Sequence, residues 1–242
     1  MALTIIHTAD MHNRLDDERA EALGFLREKS NALLLDSGDA IGAGNVYVRP
    51  AEPALRRMNT AGYHAMAVGN REFFFRKRGM ILKTRQAEFP VLTTNLLPRD
   101  GDFGHIRRWL RLEQRGERIG IFALTPTMIK PGHFFERLSD VRFLAWEAAA
   151  REAVERLRND VDWLVALSHR GAEDDRALAE ICPEIDLILG GHSHDEVFLE
   201  IGPGETLISH AGYHAARAAF IKADRGDDGR ARYQTQLVEI GR

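Results

Sequence analysis

Five short apolar runs in this chain break off into a turn and then present an acid, an amide or a histidine. They are Leu3–Thr8 before Ala9-Asp10-Met11-His12, residues 32–35 before Asp36-Ser37-Gly38-Asp39, and residues 65–68 before Gly69-Asn70-Arg71-Glu72. Residues 163–167 follow suit before Ser168-His169-Arg170-Gly171, and residues 185–189 before Gly190-Gly191-His192-Ser193-His194. Runs of this length, bounded by turn residues, suit buried strands. Glycine lets the backbone turn sharply without a Cβ penalty. In α/β sheets, ligands bind just beyond the carboxyl ends of such strands. The fold must therefore bring these ends to one crevice.

Between the strands lie helical patterns. Residues 16–29 carry Ala20, Leu23 and Leu26 on one side, residues 145–158 carry Ala149, Val154 and Leu157, and residues 50–60 and 173–181 also read as helices. Residues 91–94 form a further strand, and residues 106–124 read as a hairpin. After the last histidine the pattern changes to strands alone, at 206–209, 215–223 and 233–240. This predicts a layered α/β fold with mixed sheets. No linker or repeat divides the 242 residues, so a single domain over 1–242 is expected, with 44% hydrophobic residues for its core.

A net charge of −3 argues against nucleic acid or an anionic membrane as partner. The closely spaced Arg107, Arg108, Arg111, Arg115 and Arg118 predict a solvated face of neighbouring strands. The N-terminal residues lack a secretion signal, and no run of about 18 apolar residues could span a bilayer. The single cysteine, Cys182, provides no internal disulfide and suits a reducing compartment. These features predict a cytoplasmic protein. They carry no signal of oligomeric state.

The donors beyond the five strands decide the chemistry. Asp10, His12, Asp39, Asn70, His169, His192 and His194 offer four imidazoles, two carboxylates and one amide. That is too many for one tetrahedral ion and enough for two divalent ions bridged by a carboxylate. Mixed nitrogen and oxygen donors suit Mn, Fe or Zn better than Ca or Mg. Two divalent ions and two carboxylates leave about +2, matched to a phosphate dianion. Paired ions ~3.5–4 Å apart clamp phosphoryl oxygens and bring a water's pKa toward ~7. Phosphoester hydrolysis is the reaction such a set serves best.

The stretches HTADMH, DSGD, AVGNRE, TTNL, ALSHRG, GGHSH and SHAGYHAAR occur here in an order that resembles the calcineurin-like metallophosphoesterase superfamily. The resemblance is closest to the catalytic domain of its 5′-nucleotidase group. It implies a four-layer α/β/β/α sandwich. It also implies one metal on Asp10, His12 and His194, a second on Asn70, His169 and His192, and Asp39 bridging. A small phosphorylated substrate, nucleotide-like in that group, is the implied partner.

Two departures stand out. The family's usual Gly-Asn-His-Glu, with an aspartate two residues on, has Arg71 and Phe74 at those positions. The histidine is assigned to protonating the leaving group, and arginine holds its proton too tightly for that role. Arg71 can instead grip phosphate or point to solvent. The group's further C-terminal domain, which stacks the base, is also expected to be absent. Asn70, Arg71, His210 and His214 are the residues expected to face substrate. A weakly catalytic metal- or phosphate-binding module, and a cyclic-nucleotide or nucleic-acid phosphodiesterase, are the competing readings.

Overall fold

The computed structural model describes residues 3–44, 48–49, 51–201 and 206–241. In chain order the first strands are β1 (Leu3–Thr8), β2 (Leu33–Asp36), β3 (Ala65–Ala67), β4 (Val91–Leu92), β5 (Leu96–Pro98), β6 (Ile106–Arg107), β7 (Trp109–Gln114) and β8 (Glu117–Leu124). There follow β9 (Val141–Phe143), β10 (Trp163–Ser168), β11 (Leu187–Gly190), β12 (Glu196–Ile201), β13 (Thr206–Ala211), β14 (Arg217–Arg225) and β15 (Ala231–Glu239). The helices are α1 (Asp17–Ser30), α2 (Pro53–Ala61), α3 (Lys77–Thr84), α4 (Phe134–Leu138), α5 (Trp146–Leu157) and α6 (Ala172–Ile181).

The strands build a seven-stranded sheet, β15-β14-β1-β2-β3-β4-β6, and a six-stranded one, β12-β13-β11-β10-β8-β7. Each has a parallel centre and an antiparallel edge, as at β14 beside β1 and β12 beside β13. Parallel centres are covered on both faces, so their side chains are apolar in both directions. Ile5, Leu33, Leu35, Ala65 and Ala67 point across to Ile121, Val165, Leu167, Leu187 and Leu189 of the other sheet. Ile6, Leu34 and Met66, one residue on, face Leu23 of α1 and Leu55 and Met58 of α2. Phe122, Leu164 and Ile188 face α5 and α6 through Ala150, Ala153, Leu157 and Leu178. The four layers are therefore α/β/β/α. Each fully buried aliphatic side chain contributes about 1.5–3 kcal/mol, so the inter-sheet layer is a principal source of cohesion.

Helix ends follow local chemistry. Asp16 caps α1 by accepting from Arg19 N, and Asn31 closes it in the left-handed region. Pro53 opens α2 and Gly62 ends it. The sequence places the start of this helix at Pro50, which lies outside the described residues.

The expected hairpin at 106–124 needs correction at its start. Ile106 and Arg107 pair with β4 in the first sheet, while Trp109–Gln114 pairs with β8 in the second. The chain changes sheets at Arg108, whose guanidinium binds both oxygens of Glu152 at 2.7 Å. With Arg111 on Asp160 and Arg118 on Asp162, this arginine stripe is an ion-paired surface. Strands β5, β9 and β12 and helices α3 and α4 have no counterpart in the sequence reading.

Among the apolar side chains between the sheets sits His7, fully buried, its Nε2 2.9 Å from Ser37 Oγ. Burial, reinforced by His210, lowers its pKa from 6.5 to about 3. The unfolded chain therefore takes up a proton in that window that the folded chain refuses, and stability falls as pH drops through it. We expect His7→Gln to flatten the stability–pH slope of the chelator-treated protein below about pH 6.5, by up to about 1.4 kcal/mol per pH unit. Urea midpoints from pH 7 to 4.5 measure it, and superimposable slopes for the two proteins would contradict it.

Candidate metal centre

Beyond β1 and β2 the chain keeps pairing with itself after the strands have ended. Asp10 N donates to Gly38 O, His12 N to Asp39 O and Asn13 N to Ala40 O, at 2.8–3.0 Å. This holds the Asp10–His12 turn alongside the Asp39 turn. From the second sheet, Gly191 N donates to Ser168 O, which aligns the turns after β10 and β11. His192 N then donates to Asp10 Oδ2 at 2.7 Å and joins the two sheets at the site itself.

All seven expected ligands converge. His12 Nε2 lies 3.6 Å from Asp10 Oδ1 and 3.6 Å from Asp39 Oδ2. His194 Nε2 is 3.4 Å from Asp10 Oδ1. On the other side, His169 Nε2 is 3.5 Å from Asp39 Oδ1 and 3.3 Å from Asn70 Oδ1, and His192 Nδ1 is 3.1 Å from Asn70 Oδ1. Asp39 turns one oxygen to each group. Asp10 belongs to both, because its Oδ1 is also 3.8 Å from His169 Nε2. Two clusters able to hold an ion result, Asp10–His12–His194 and Asp10–Asp39–His169.

The donor set fits a cation. Asp10 and Asp39 are only 1% and 3% exposed, yet buried Asp10 Oδ1 and His12 Nε2 have no hydrogen-bond partner. Unmet buried polar atoms of this kind cost about 1–3 kcal/mol each, more when charged. The His169 ring is oriented from behind by Ser37 O, 2.7 Å from Nδ1, leaving Nε2 toward the carboxylates.

Electrostatics agrees. Burial pushes Asp39 upward, but His12 and His169 outweigh it and hold the carboxyl well below its usual range. Burial pushes His169 downward, but Asp39, Asp10 and Glu72 outweigh it and raise it to about 9. Burial, followed by His169, lowers His192. The negative potential of Asp39, Asp10 and Glu72 that favours a proton on His169 favours positive charge between the two carboxylates.

The backbone carries strain here. Five of the seven, Asp10, His12, Asp39, His192 and His194, have φ between 48° and 78°. Left-handed conformations cost non-glycine residues about 1–2 kcal/mol each and concentrate at functional sites.

The residues expected to face substrate are placed differently from one another. Arg71 N donates to Asp39 Oδ1 at 2.6 Å, and its Nε lies 3.6 Å from Asp39 Oδ2 without a hydrogen-bond partner. Its side chain therefore lies at the rim of the centre, beside Asp39 and partly exposed. His214 is exposed at the mouth, its ring 5.4 Å from that of His12, and burial, His12 and Arg14 lower its pKa. His210 does not reach the crevice. It is 1% exposed, with Nε2 2.8 Å from the buried Asp175, because β13 turns it toward α6.

Glu72 escaped the sequence reading. Fully buried, it accepts from Asp39 N and Gly69 N at 2.9 Å and Ile41 N at 3.2 Å, and so fixes the turn that bears Asp39. Only its position two residues after Asn70 could have signalled this.

The family model described as calcineurin-like phosphoesterase matches residues 3–196. The 5′-nucleotidase of Mus musculus is 29% identical over 99% of this chain and 45% of its own length. Among solved structures, the NAD nucleotidase of Haemophilus influenzae superposes with a TM-score of 0.81 at 21% identity, covering 99% of this chain and 50% of that one. A 5′-nucleotidase precursor from Thermus thermophilus gives a TM-score of 0.81 at 24% identity, covering 99% and 55%. The chain thus spans about half the length of these relatives.

Gly69 offers a direct test of the geometry. A Cβ there would lie 2.5 Å from Asp39 N and 3.0 Å from Glu72 Oε2. We expect Gly69→Ala to weaken divalent-metal affinity about 10–100-fold while far-UV dichroism is retained. Metal content after dialysis against graded chelator measures it, and unchanged retention would refute the placement of this turn.

Proposed function

Because the chain belongs to the calcineurin-like phosphoesterase family, we propose that it hydrolyses small phosphate esters, nucleotide-like ones among them, with a pair of divalent ions. The observation that carries this reading is the division of Asp39, one oxygen 3.6 Å from His12 Nε2 and the other 3.5 Å from His169 Nε2. Asp10, His12 and His194 would hold one ion, Asn70, His169 and His192 the other, and Asp39 would be shared. The donor types favour Mn, Fe or Zn. Such ions supply Lewis-acid charge to phosphoryl oxygens and a water acidified toward neutrality.

The chain's own groups do the rest. The buried carboxylates keep the centre anionic enough to hold cations. Arg71 adds a fixed positive charge whose fork can grip phosphate oxygens, and its Nε is free to donate. Proton delivery to the leaving group is another matter. Arg71 keeps its proton at working pH, and burial, His12 and Arg14 shift His214 away from its protonated form. The leaving group therefore departs with little help from a side-chain acid.

This yields a kinetic signature. General acids contribute about 10²–10⁴-fold, so aryl phosphates should turn over faster than alkyl phosphates by about that margin. Arg71→His should narrow the gap by a selective gain on alkyl esters, and Arg71→Ala should raise KM for both about 10–100-fold. Steady-state kinetics on phenyl and glycerol phosphates with Mn²⁺-loaded protein read both effects. Equal rates for the two esters would exclude an unprotonated departure, and phosphate binding without turnover under every metal would favour a binding module.

A further inference from the structure

Lysine is rarely buried, and Lys83 on α3 is 1% exposed. Its ammonium has three protons and meets three carbonyl oxygens, Arg71 O at 2.7 Å and Gly44 O and Phe73 O at 2.8 Å. The nitrogen also lies 5.3 Å from the centroid of the Phe74 ring. No donor is left over. The partners are main-chain atoms of two segments, the one that follows Asp39 and the one that bears Asn70 and Arg71.

The consequence falls on Arg71. Its N–H is held by Asp39 Oδ1 at 2.6 Å, and its C=O by Lys83. With the peptide groups on both sides of its Cα fixed, the direction of its Cβ is fixed too, and with it the base of the guanidinium arm. We infer that Lys83 is a positioning residue which, by clasping the carbonyls of Arg71, Phe73 and Gly44, aims Arg71 at the phosphate of the substrate. The inference rests on the reading of the centre as a phosphoesterase site.

A simpler role would be charge compensation, since Glu72, Glu52 and Asp39 all act on this ammonium. The two roles differ in what they require. Compensation needs a cation anywhere nearby. Clasping needs three convergent N–H groups on one atom, which a guanidinium fork does not offer.

The test is a double-mutant cycle on Mn²⁺-loaded full chain, reading kcat/KM for phenyl phosphate, the Kd of inorganic phosphate and bound metal per chain. Lys83→Met and Lys83→Arg should each lower kcat/KM about 10–100-fold through KM, with bound metal retained. Combined with Arg71→Ala, either should add nothing to the loss that Arg71→Ala causes alone. Lys83→Arg keeps the buried cation and covers the case in which Lys83→Met does not fold. Wild-type kinetics in Lys83→Arg, or losses that multiply with Arg71→Ala, would overturn the inference while leaving the site reading intact. A metal-loaded wild type that neither cleaves phenyl phosphate nor binds phosphate would remove the site reading, and this inference with it.

Discussion

Two carboxylates, Asp10 and Asp39, are buried side by side at the junction of two sheets, and among the described residues no lysine forms an ion pair with either. Removing charge from water costs several kcal/mol per ion even after relaxation. The fold meets that cost in part with imidazoles, with the Arg71 guanidinium at 3.6 Å, and with main-chain N–H groups from Arg71 and His192. It leaves Asp10 Oδ1 unmatched. The remaining deficit is what makes the centre a receptor for cations, and most other features of the site hold this unfavourable arrangement in place.

That holding is done chiefly by backbone. Strained φ values at five ligands would relax if the turns were loose. They stay because Glu72 accepts three N–H groups of the Asp39 and Gly69 turns, and because the β1 and β2 turns remain paired beyond the strands. Behind the ligands, Ser37 links His7 to the Leu189 carbonyl and orients His169 through its own carbonyl. Stability from the inter-sheet core supports a site that by itself costs stability.

Arg71 stands where the resemblance to the family implies a histidine, beside the seven converging donors. The position keeps its N–H on Asp39, which holds the turn in shape, while the side chain becomes a permanent cation. Lys83, also cationic, lies behind it with its charge turned away from the crevice and onto carbonyls.

The convergence of the seven donors was readable in the sequence because each follows its strand within a few residues, and parallel strands deliver their carboxyl ends to a common edge. The strands themselves were readable from short apolar runs, and the change to antiparallel pairing from the loss of helices after residue 194. Long-range packing decided the rest. His210 resembled a site residue by proximity to the metal loops, yet the alternation of β13 directs it to Asp175 on α6. Arg108 read as mid-strand, yet it lies between Arg107, paired with β4 in one sheet, and Trp109, paired with β8 in the other. Glu72 and Lys83 bind main-chain atoms, which carry no residue identity, so their partners emerged only in the folded chain. Sequence alone indicated which donors meet, since each lies in the turn that directly follows a short apolar run. Only the tertiary structure decided how those donors are held, because buried charge is balanced by groups distant in the chain.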